Sequence, residues 1–140
     1  MKKITIYALT LTVLLFSGCK NKDFNKSIKA DVLEKTDKWY EIDSTRDLYQ
    51  TFKFTENRLT KNIYSDRDFS ELINSKSYNI YFTDDDKFNV TEDGVNYSCE
   101  ATTCNKDEFV IISCKANESD LKDILYCGWN SQDKAKANMQ

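Results

Sequence analysis

The chain has 140 residues, with 20 Lys+Arg against 23 Asp+Glu and a formal charge of −3, enough for one domain and too short for two of ordinary size. It holds no His, no Pro, three Gly and five Cys, which excludes Ser-His-Asp and Cys-His catalysis and any His-containing metal site. At 40% hydrophobic and 13% aromatic it is too rich in core-forming residues to be disordered. Its mild acidity argues against nucleic-acid binding, which needs a basic face.

Lys2 and Lys3 precede an uncharged, mostly apolar run of thirteen residues from Ile4 to Phe16. That is short of the roughly twenty residues a lone spanning helix needs, so residues 1–18 read as a cleavable export signal. The closing Leu15-Phe16-Ser17-Gly18-Cys19 resembles the lipobox of bacterial lipoproteins. The resemblance implies cleavage before Cys19 and acylation of that residue, with Phe16 standing where the family usually has Leu. Two or three acyl chains hold a protein stably at a membrane, where one holds it only marginally. In enterobacterial lipoproteins an Asp after the cysteine marks inner-membrane retention, so Lys20 implies the outer membrane. Removing residues 1–18 takes two lysines and no acid, moving the formal charge from −3 to −5. Residues 19–26 then form a lipidated polar tether, and residues 27–140 a single domain.

Ser27 to about Lys38 reads as a helix with Ile28, Val32 and Leu33 on one face and Asp31–Lys35 and Glu34–Lys38 as acid-before-base pairs. From Trp39 the period falls to two. Expected strands cover Lys38–Asp43, Tyr49–Thr55, Leu59–Tyr64, Ser77–Thr83, Lys87–Thr91, Val95–Ala101, Glu108–Lys115 and Ile124–Trp129. Ser65-Asp66-Arg67-Asp68 has a capping pattern before Phe69, Leu72 and Ile73, which predicts one or two helical turns there. Another short helix is expected near Asn117 or Ser119, including Leu121.

The middle of the chain fixes its own register. Asp93-Gly94 is a two-residue hairpin signal that pairs Glu92 with Val95, Val90 with Tyr97 and Phe88 with Cys99. A turn through Asp84-Asp85-Asp86 pairs Phe82 with Phe88 and Ile80 with Val90, and a turn at Lys106-Asp107 sets Ala101 opposite Ile112 and Cys99 opposite Cys114. The hairpin at Glu56-Asn57 leaves two registers open. The expected fold is mainly β: an antiparallel meander or small β-barrel of about eight short strands with an N-terminal helix, or alternatively an α+β curved sheet packed on a helix. A helical lead-in, Trp39 opening a strand and then Phe52-Lys53-Phe54 is similar to the start of small bacterial lipocalin-like lipoproteins, and that resemblance implies a barrel.

With Cys19 lipidated, Cys99, Cys104, Cys114 and Cys127 remain, an even number that predicts disulfides in an exported domain. The register favours Cys99–Cys114, leaving Cys104–Cys127; the pairing Cys99–Cys104 with Cys114–Cys127 stays open. Their spacing does not form the paired knuckles of a structural zinc site, and Asp84-Asp85-Asp86 lacks the Gly-permitted turn of a calcium loop, so no metal and no cofactor is expected. Without a nucleophile elbow, P-loop or dinucleotide fingerprint the chain does not read as an enzyme.

Aromatic residues exceed what one inner face holds. Trp39, Tyr40, Tyr49 and Tyr64 are surface candidates, and Tyr81, Tyr126 and Trp129 are the expected contacts to a protein partner. The expected function is an envelope lipoprotein, held at the membrane by its lipid, that binds or inhibits another envelope macromolecule of the lysozyme or toxin kind. A structural accessory of an envelope complex and a small-ligand binder are the alternatives.

Overall fold

Eight antiparallel strands follow one another in chain order around a closed barrel: β1 (Trp39–Asp43), β2 (Leu48–Thr55), β3 (Arg58–Tyr64), β4 (Leu72–Asp84), β5 (Lys87–Glu92), β6 (Val95–Cys104), β7 (Phe109–Ala116) and β8 (Ile124–Trp129). A helical segment, Lys29–Leu33, precedes them and a short helix α1 (Gln132–Ala137) follows. The structure is a computed structural model that describes residues 26–117 and 124–138. The expected signal at 1–18, the lipidation site Cys19 and the helix around Ser119 and Leu121 lie outside the described residues.

The inward face is built by strict alternation. Phe52 and Phe54, Leu59, Ile80, Phe88, Cys99 and Ala101, Val110 and Ile112 form one buried cluster. Every pair expected in the middle of the chain is present: Ile80–Val90, Phe82–Phe88, Phe88–Cys99, Val90–Tyr97, Glu92–Val95, Ala101–Ile112 and Cys99–Cys114. At the less determined hairpin the register is Phe54 opposite Leu59.

The N-terminal segment is shorter than the expected Ser27–Lys38 helix, and it closes one end of the barrel from within. Ile28, Val32 and Leu33 join the inner cluster, so this segment fills the lumen and leaves the outer face uncovered. Glu34 pairs with Lys29 at 2.9 Å in place of Lys38. Asp85, in the β4–β5 turn, anchors the segment by accepting from the Ser27 hydroxyl and from the Ile28 main-chain N–H at 2.7 Å. Burial works against that carboxylate, but bonds from Ser27, Ile28 and Lys29 hold it below its ordinary range. The acid run thus contains a helix cap, a role its pattern did not announce.

The helical turns expected after Ser65 are absent. Asp66 accepts from the Ser70 N–H at 3.0 Å and the Glu71 N–H at 3.1 Å, closing a tight loop, and Leu72 already belongs to β4. Phe69 is held at a φ of 54°, packed edge-on against Tyr40 at 5.1 Å and Tyr64 at 5.5 Å. A bulky residue rarely adopts that conformation; the two tyrosines retain it. Trp39, expected as a surface candidate, is fully buried in the inner cluster.

The barrel closes at a sparse seam. β1 and β8 share one ladder pair, Tyr40 with Trp129. Helix α1 packs on both seam strands, with Lys136 bonded to Asp68 at 2.6 Å and Lys134 to Glu108 at 3.0 Å.

Cys99 and Cys114 form a disulfide between facing positions of β6 and β7, buried in the core. The expected Cys104–Cys127 pairing does not form: Cys127 is a free thiol, whereas Cys104 is disulfide-bonded and not to Cys127. The register explains this. Cys104 faces Phe109, which faces Trp129, so β7 stands between Cys104 and Cys127. Two strand spacings are about 10 Å, beyond the roughly 7 Å between Cα atoms that a disulfide tolerates. Five residues of one strand likewise keep Cys99 and Cys104 about 16 Å apart.

Candidate functional site

Strand β4 is the longest in the barrel, at 13 residues against 6 in β5. The Asp93-Gly94 turn ends the β5–β6 hairpin early, and β4 pairs with β5 only from Ile80 onward. Its first half, Leu72 to Asn79, pairs with β3 alone among the described residues. Tyr78 still lies level with Glu92, since its hydroxyl donates to Glu92 Oε1 at 2.8 Å. Leu72 to Ser77 rises beyond the turn as an overhanging wall with one unpaired edge, about 20 Å long. A bulge between Ile63 and Tyr64 and the start of β4 brings Leu72 opposite Tyr64, and Leu72 and Ile73 are 55% and 64% exposed.

The inner side of this wall is polar. A cavity of about 80 Å³ is lined by Lys61, Ile63, Asn74, Lys76, Tyr78 and Glu92. Lys61 donates to the Tyr126 hydroxyl at 3.0 Å and stands over the Tyr126 and Tyr78 rings at 4.8 and 5.3 Å. Its ammonium is 3.7 Å from Glu92 Oε1. A desolvated cation between two aromatic faces is held by both ring quadrupoles and the carboxylate. Burial and the Glu92 charge push the Tyr78 hydroxyl far above its ordinary pKa, and burial followed by Glu92 and Glu41 does the same for Tyr126. Both phenols therefore stay protonated at any physiological pH.

At the β1–β8 seam, Glu41 accepts from the Gln50 amide and, through Oε2, from the Cys127 main-chain N–H at 3.0 Å. Burial outweighs those bonds and the nearby Arg46, and raises the Glu41 carboxyl to about 7. Cys127 beside it is pushed up to about 12 by burial and by the Glu41 charge. It is therefore a poor nucleophile, in keeping with a structural position.

The three expected contact aromatics are not brought together. Tyr81 is 70% exposed on the outer face of β4. Tyr126 points into the lumen as the Lys61 partner. Trp129 packs outside the barrel on Phe109, with ring centroids 4.5 Å apart. Only Tyr81 is free to meet a partner with most of its surface. The residues that do converge, Lys61, Lys76, Tyr78 and Glu92, were not singled out from the sequence. Alternation carried their signal: Lys61 lies between the inward positions Leu59 and Ile63, and Lys76 is two residues from Tyr78.

Among the described residues no group of His, Cys, Asp or Glu is arranged to hold a metal ion. Compared with known proteins, the chain matches no family model, no curated protein and no solved structure, so the reading rests on its own residues.

Proposed function

We propose that this protein is a lipid-anchored envelope protein whose barrel binds another envelope protein, and that the unpaired β4 edge from Leu72 to Ser77 is the contact surface. The observation that carries the reading is that edge. A row of unpaired strand N–H and C=O groups is a template for an added strand, and neighbouring side-chain pockets give such pairing its specificity. Here the edge carries two adjacent exposed apolar residues, Leu72 and Ile73, with Tyr81 further along the same strand. An incoming strand would continue the barrel wall above the Asp93-Gly94 turn.

The small-ligand alternative is not favoured. Phenylalanines, the Cys99–Cys114 bridge and the helical segment fill the lumen, and the polar cavity of about 80 Å³ is well below the several hundred Å³ of ordinary ligand pockets. The anchor part of the reading rests on the lipobox at Cys19.

Two variants test the reading. Cys19→Ser should move the protein from the membrane fraction to the soluble fraction. Ile73→Asp should abolish recovery of a partner from the native envelope while leaving the melting temperature within about 2 °C, because Ile73 is mostly exposed. Retention of a partner by folded Ile73→Asp protein would refute the edge as the contact.

A further inference from the structure

The cavity behind the β4 wall holds more positive charge than the carboxylate beside it neutralises. Lys61 and Lys76 face each other directly across the β3/β4 ladder, and both line the cavity. Like charges placed directly opposite destabilise a sheet. Glu92 is the single carboxylate lining the space, and it is already occupied by the Tyr78 hydroxyl at 2.8 Å and by Lys61 at 3.7 Å. Asp93 follows it on the hairpin turn, exposed to solvent and outside the lining. Among the described residues Lys76 makes no ion pair. The concentration of positive charge stands out in a chain whose formal charge is −3.

We infer that this cavity is a binding site for a small oxyanion, a carboxylate or phosphate group, held between Lys76 and Lys61 with the Asn74 amide as a neutral donor. The chemistry follows from the lining. Lys76 brings a flexible ammonium with three donors, and Lys61 is fixed in place by the Tyr126 hydroxyl and the rings of Tyr78 and Tyr126. An anion bridging them turns a like-charge pair into an attractive arrangement and gains charge-assisted hydrogen bonds. Volume sets the size. A space of about 80 Å³ has room for an oxyanion group together with waters that solvate it. Ile63 gives the site an apolar side, which lowers the local dielectric and strengthens each of these contacts. Asn74 and Lys76 belong to the overhang whose main-chain edge is the proposed contact surface, but they act here through side chains that line the cavity.

The test is a thermal-shift titration of the purified protein with inorganic phosphate, and separately with succinate, against sodium chloride at matched ionic strength. The wild type should show a saturable rise in melting temperature beyond the chloride control with at least one of the two anions. A preference for phosphate assigns a phosphoryl ligand, and a preference for succinate a carboxylate. Lys76→Gln should raise the apparent dissociation constant at least tenfold, and Lys76→Arg should retain binding. In anion-free buffer Lys76→Gln should melt at or above the wild-type temperature, because it removes a charge opposed to Lys61. No saturable rise with either anion, or an unchanged dissociation constant in Lys76→Gln, would overturn the site.

Discussion

The Glu41 carboxylate on β1 accepts the main-chain N–H of Cys127 on β8 at 3.0 Å, across the seam where the first and last strands share one ladder pair. A side chain there takes the place of a missing strand-to-strand hydrogen bond. The cost is a buried acid, 7% exposed, in a position that favours its neutral form. Protonated Glu41 fits the site well: one oxygen accepts from Cys127, and the hydroxyl can donate to the Gln50 amide oxygen after an amide flip.

This geometry sets a pH dependence. In the unfolded chain the Glu41 proton leaves near pH 4.5, and in the folded chain it is held to about 7. Between those values the folded state binds more protons, so stability falls as pH rises from about 4.5 to 7 and levels off above. The full difference is on the order of 3 kcal/mol. Glu41→Gln, which mimics the neutral acid, should match the wild type near pH 4.5 and exceed its stability at pH 8 by that order. Denaturant melts of both proteins across the range check this; parallel curves would show that Glu41 titrates as an ordinary surface acid.

The covalent framework makes a second prediction. Cys99 and Cys114 close a loop with a sequence separation of 15, for which chain-entropy arguments give about 3 kcal/mol. Replacing both by Ala should cost that amount or more, because the pair is also part of the packed core. Alkylation of native protein should be slow at Cys127, whose half-buried thiol is shifted up to about 12. After unfolding without reductant the label should appear on Cys127 and not on Cys99 or Cys114. Peptide mass mapping reads both results.

Gly128 supplies a third. A Cβ at this position would lie 2.6 Å from Phe52 Cζ and 2.9 Å from the Trp39 Cβ. No rotamer of Trp39 moves its own Cβ, so the strain cannot be relieved by side-chain adjustment alone. Gly128→Ala should therefore destabilise by about 1–3 kcal/mol or more through overpacking, visible as a lower denaturation midpoint. A neutral outcome would mean that the seam strands move apart freely.

Much of this fold was readable because its strands alternate cleanly and its turns carry their own chemistry. Asp93-Gly94, with φ of 52° and 78°, is the two-residue turn that its sequence demands, and it propagated the register as far as Cys99 and Cys114. Other features depend on distant residues. Ser65–Asp68 carries a helix-start pattern, yet two tyrosines on other strands hold Phe69 in a loop instead. The separation of Cys104 from Cys127 follows from the β7–β8 pairing, which spacing along the chain does not fix. The candidate site was legible only in part. Alternation along β3 and β4 puts Lys61 and Lys76 on the core face, a parity the sequence reading did not use, and the overhang that exposes Lys76 arises from the unequal lengths of β4 and β5. Counting aromatics did not reveal it, because Trp39 belongs to the core and Tyr126 to the lumen.

The central claim, that the β4 edge receives a protein partner, is tested most directly by site-specific photo-crosslinking in intact cells. A photoreactive residue at position 73 is compared with one at position 113, an exposed position on β7 across the barrel. A discrete adduct from position 73 and none from position 113 is the predicted result. No adduct at 73, or the same adduct at both positions, would contradict it.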